Sequence, residues 1–124
     1  MTERLDPAGD AGAEMKNRLR ADLREAMKGG RASEAALIRV LLAAIDNAEA
    51  PPLDGSRKAA DQHRFRDGSA EVERLSLSEA AVRAILAAEV LERETAAAEM
   101  MHLNKADRAE ALRAEALLAR RYME

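Results

Sequence analysis

From about Ala13, the apolar residues Met15, Leu19, Leu23, Ala26 and Met27 recur at intervals of three and four, the spacing of one helix face. Gly29 and Gly30 end this first predicted helix, because glycine takes the left-handed conformation needed just past a helix end. The second, Ala32 to Glu49, carries Ala35, Ile38, Leu41, Leu42, Ile45 and Ala48 on a stripe that Leu37 and Ala44 widen. Pro51 and Pro52 stop it by breaking the hydrogen-bond ladder. Ser76 with Glu79 has the spacing of a capping box, with Leu75 before it, and predicts the start of a third helix running to about Leu103. Its buried side is Val82, Ile85, Leu86, Val90, Ala97 and Met100/Met101. Asn104 suits a left-handed break, and Asp107 with Glu110 repeats the capping spacing before a fourth helix through Leu112, Ala116, Ala119 and Met123.

Two stretches lack this periodicity. Residues 1–12 combine Pro7, Gly9 and Gly12 with scattered charges and predict a disordered tail. Residues 51–75 far exceed the usual connection between bundle helices and predict a mobile insertion, with at most a helical turn near Lys58 to Gln62. The expected fold is therefore all-α: a compact four-helix domain over 13–124, with a long loop between helices two and three. At 124 residues the chain has room for one modest core. Aromatics make up only 2% and alanine roughly a quarter, which favours close-packed helices over sheets or aromatic-lined clefts.

Charge and chemistry narrow the function. The balance of 20 Lys plus Arg against 23 Asp plus Glu gives −3, so any anion-binding surface must be a local patch. Zero cysteines exclude disulfides and thiolate chemistry and fit a reducing cytoplasm. No apolar run reaches the length of a membrane span or a secretory signal, so a soluble protein with no membrane partner is expected. Phosphate loops, nucleophile elbows and zinc signatures are absent from the sequence. Glu99 and His102 have the spacing of half a di-iron site, but the other histidine, His63, has no matching glutamate. No metal, cofactor or catalytic residue is expected. The carboxylates Glu89, Glu92, Glu94 and Glu99 surround Arg93 and read as a solvated face with ion pairs. The informative spacing is Lys16, Arg20, Arg24 and Lys28, a row of cations at i, i+4 over about 18 Å that can track phosphates, which Arg31 and Arg39 can extend. Arg57, Lys58, Arg64 and Arg66 around Phe65 add a second basic cluster with a stacking residue. The competing expectation, from alanines and methionines on wide apolar faces, is a helical protein-interaction module or homodimer with no nucleic-acid role.

Met27-Lys28 followed by Ile38-Arg39-Val40-Leu41-Leu42-Ala43-Ala44-Ile45-Asp46-Asn47-Ala48-Glu49 resembles the signature of the GatB/YqeY family, in which Met-Lys precedes Leu-Arg-x-Leu-x-x-Ala-Ile-x-Asn-x-Glu. Leu77-Ser78-Glu79 with Val82, Ile85-Leu86, Glu89 and Arg93 is similar to the family's third helix, and Asp107 to Tyr122 to its fourth. The resemblance implies a helical domain related to the C-terminal region of the B subunit of tRNA-dependent amidotransferase. It also implies tRNA or an amidotransferase-like protein as partner, and a family label of carbon–nitrogen ligase with glutamine as amido donor. Family chains continue past a Tyr-Leu-Pro into a helical tail, whereas this sequence ends at Tyr122-Met123-Glu124. Ala88-Glu89-Val90-Leu91-Glu92-Arg93 replaces a more basic family stretch. Transamidation needs a glutaminase nucleophile and an ATP site that these residues do not supply, so the expected role is accessory. Because Arg39 and Glu89 both lie in the resembling segments, the resemblance also implies a structural ion pair between them.

Overall fold

A computed structural model describes residues 11–51 and 74–124. They form four helices and no strand: α1 (Ala11–Lys28), α2 (Ala32–Glu49), α3 (Glu79–His102) and α4 (Ala106–Arg121). The all-α, four-helix expectation holds, and α2 has the predicted limits. No described helix is long and apolar enough to cross a membrane.

The ends follow local chemistry, sometimes with residues other than those the spacing suggested. Gly30 (φ 71°) and Asn104 (φ 61°) are the left-handed residues that close α1 and α3. At each, paired backbone bonds satisfy the last carbonyls: Arg31 N–H to Ala26 O at 2.9 Å, and Lys105 N–H to Met100 O at 2.8 Å. The cap of α3 is Ser78 rather than Ser76, its hydroxyl accepting from Ala81 N–H at 3.1 Å. Asp107 is not a cap either. It lies in the first turn of α4, one residue inside, where a negative charge meets the helix dipole. The expected tail is also shorter than proposed at its inner edge, since Ala11 and Gly12 are helical and buried.

Two antiparallel hairpins make the bundle. α1 packs along α2 and α3 along α4, with fewer contacts between the hairpins. Leu19, Ile38, Leu41, Ile45 and Leu86 are its fully buried large side chains. All four helices contribute to this main core. α3 is six residues longer than α1 or α2, and the far end of the α3–α4 hairpin has a small core of its own, Ala97, Ala109 and Leu112.

Most of the insertion expected at 51–75, with its helical turn and the cluster around Phe65, lies outside the described residues. Its flanks meet: Leu75 N–H donates to the Glu49 carbonyl at 2.8 Å. A short Gly/Ser linker in place of 53–73 therefore has almost no gap to span. Such a variant is expected to keep its helicity and a single cooperative thermal transition, with stability changed by no more than about 1 kcal/mol. Loss of the cooperative transition in calorimetry would contradict this.

Candidate nucleic-acid interface

An α-helix advances about 100° per residue, so four residues overshoot a full turn by about 40°. A row of side chains at i, i+4 therefore winds round the helix, and the four cations of α1 do not share one environment. Lys16 lies on the buried side with Gly12 and Leu19, at 7% exposure. Arg20, Arg24 and Lys28 have rotated out to solvent.

Lys16 is correspondingly withdrawn from the expected phosphate row. Its Nζ donates to Glu49 Oε1 at 2.5 Å and to Asp46 Oδ1 at 2.9 Å, a carboxylate pair one turn apart on α2. Arg74 Nη1 approaches both carboxylates at 3.5 Å, so the chain returning to α3 joins the same network. Glu49 is itself only 5% exposed. The Glu49 hydrogen bond holds the Lys16 ammonium above its ordinary pKa, and the Lys16 hydrogen bond holds the Asp46 carboxyl below its own. Stability from Asp46 is present above the unfolded carboxyl value and lost as pH falls through the lower folded one. Stability from Lys16 is present below the unfolded ammonium value and lost as pH rises through the higher folded one.

The three outward cations are each one helical turn apart, about 6 Å along the axis. None forms an ion pair with another described residue; Arg20 meets only the Asn17 carboxamide oxygen, at 3.4 Å. Arg31, in the link to α2, is exposed and contacts Glu34 at 3.3 Å, so part of its charge is answered locally.

The expected Arg39–Glu89 pair does not form. Arg39 follows the buried Ile38 by one residue and is turned away from the core; its exposed guanidinium donates to the Met27 sulfur at 3.5 Å. Glu89 instead pairs with Arg93, one turn along α3, at 2.8 Å, and Arg93 Nε bridges to Glu115 of α4 at 3.0 Å. The partly buried arginine that joins α3 to α4 is Arg93. Arg39 thus joins Lys28 and Arg31 on the exposed side of the α1–α2 hairpin. Together with Met27 and Ala35, Arg31 and Arg39 line a shallow hollow of about 280 Å³.

Tyr122 locks α1 to the end of α4. It is 4% exposed, its hydroxyl donates to Asp22 Oδ2 at 2.6 Å, and the Arg18 guanidinium lies 4.6 Å from its ring centroid. Burial, reinforced by the Asp22 bond, pushes the phenol well above its usual pKa. The chain has one tyrosine and no tryptophan, so tyrosinate absorbance reads this group alone. Raised folded pKa means that its contribution is intact below the unfolded value near 10 and is lost as pH climbs beyond it. An absorbance titration is expected to show ionisation clearly above 10 in the folded chain, moving to about 10 in denaturant. A native titration near 10 would contradict the Asp22 bond.

Among the described residues no group of three or more His, Asp or Glu side chains could hold a metal ion. Glu99 and His102 are both exposed. The two signals that sequence reasoning missed were the Lys16–Glu49 pairing and the Tyr122–Asp22 bond. The only trace of the first was the i, i+3 spacing of Asp46 and Glu49. The chain matches no protein-family model, no curated protein and no solved structure.

Proposed function

We propose that this chain is a non-catalytic accessory domain of the GatB/YqeY type that contacts tRNA through the outer face of α1 and works alongside an amidotransferase-like protein in the cytoplasm. The observation that carries the proposal is the row Arg20, Arg24 and Lys28: exposed, one turn apart and without an acidic partner among the described residues. Such a row can follow successive phosphates, and Arg31 and Arg39 continue the positive surface beyond the end of the helix. The resemblance of Ile38 to Glu49 to the family signature supplies the choice of tRNA over other polyanions. Lys16 is not part of this face.

Binding of the full chain to tRNA, followed by fluorescence anisotropy at low and physiological salt, tests the reading. Arg24→Glu/Lys28→Glu is expected to weaken binding at least tenfold while the thermal melt stays within the small range usual for surface changes. No binding by the wild type at either salt, or equal binding by the variant, would overturn it.

A further inference from the structure

We infer that the α3–α4 hairpin carries a self-association face, so that the protein works as a two-fold dimer of this chain. Leu91 of α3 and Leu117 of α4 are 64% and 65% exposed, the highest values among the large apolar side chains of the described residues. Leu117 lines a hollow of about 350 Å³ between the two helices, with Ala97, Ala98 and Ala116, where small side chains leave room for a partner's leucine, and Leu91 lies one turn before Glu94, which also lines it. Ala97 belongs to the hairpin's own small core and Ala116 to the main core, and every residue lining the hollow comes from α3 or α4, so α1 and α2 do not cover it.

Charge selects a second copy as the occupant. Glu94 lies on the α3 edge of the hollow and Arg113 on its α4 edge. Glu94 is paired with Arg120 of the same chain, whereas Arg113 has no ion pair with another described residue. A two-fold axis running parallel to the two helices lays each α3 on the other copy's α4, so Glu94 of one copy meets Arg113 of the other, twice per dimer. The same operation delivers each Leu117 towards the other copy's alanines. The face runs about 36 Å along α3 and is two helices wide over the roughly 24 Å of α4, which is on the order of the ~800 Å² per partner that stable interfaces bury. The segment 52–73 of the same chain is a poorer occupant, with Leu53, Phe65 and Val72 as its only large apolar residues among many charges.

The test is analytical ultracentrifugation of the full chain from nanomolar to high micromolar concentration. The expected species has twice the 13.5 kDa mass of one chain. Leu117→Arg, and separately Leu91→Arg, are expected to give monomers with unchanged helicity, since neither side chain is buried. Glu94→Arg alone and Arg113→Glu alone should each weaken association at least tenfold, and mixing these two variants should restore a heterodimer, because both inter-copy contacts then pair opposite charges. A wild type that is monomeric at high micromolar concentration would overturn the proposal, as would a dimer indifferent to both leucine changes. A chain that dimerises only when 53–73 are replaced by a linker would assign the face to that segment and equally overturn it.

Discussion

Lys16→Met is expected to destabilise the fold by about 3 kcal/mol, more than any change on the outer face of the same helix. The side chains are comparable in length, so the loss is electrostatic. Removing the ammonium leaves Glu49, 5% exposed, without its donor at 2.5 Å, and an uncompensated buried carboxylate is among the costliest defects a core can hold. Arg74 at 3.5 Å and the half-exposed Asp46 soften the penalty, which places it at the lower end of the range for broken buried pairs. Lys16→Met/Glu49→Met should recover most of the loss, because the pair's own net contribution is small once neither charge is stranded. Urea unfolding of the wild type, both single variants and the double variant provides the cycle. A single Lys16→Met within about 0.5 kcal/mol of wild type would mean that water already solvates Glu49.

Gly12→Ala is expected to cost about 1 to 2 kcal/mol, although alanine is favoured over glycine inside a helix by about 1 kcal/mol. A Cβ at position 12 would lie 2.6 Å from Glu49 Oε2 and 3.3 Å from the Leu77 side chain. A carboxylate at the end of a flexible side chain usually yields, but here Lys16, one turn along the same helix, holds its other oxygen at 2.5 Å. Alanine therefore has to displace the ion pair or shift α1 away from α2. In a Glu49→Ala background the same substitution should lose most of its cost, since the nearest obstacle is gone. Chemical denaturation of the four proteins measures the coupling, and an equal cost in both backgrounds would place the obstruction at Leu77 instead.

These two residues also mark the boundary of what the sequence discloses. Helix periodicity located all four helices, and Gly30 and Asn104 closed theirs as their backbone freedom predicts. Those signals are local, carried by residues within a turn of one another. Ser76 and Ser78 are both capping residues by type, and the choice between them depends on how Leu77 packs into the core, 9% exposed. The basic row was legible as a spacing, but its burial was not. The drift of about 40° per step is uniform, and only the position of α2 decides which member turns inward. Lys16 meets its partners across thirty and thirty-three residues. Tyr122 meets Asp22 across a hundred. Arg39 was misassigned for the related reason that a motif fixes residue type but not the face it presents, while the Glu89–Arg93 pair that does form had the i, i+4 spacing in plain view.

The dependence of tRNA affinity on salt tests the proposed function most directly, because it counts the phosphates that the protein neutralises. Three contacts from Arg20, Arg24 and Lys28 predict that log K falls against log salt with a slope between about −2 and −3, the lower figure for single strands and the higher for duplex. The Lys16→Met/Glu49→Met protein should show the same slope, since Lys16 faces the core. A slope near zero, or a slope that changes with Lys16 and not with Arg24 and Lys28, would contradict an interface on the outer face of α1.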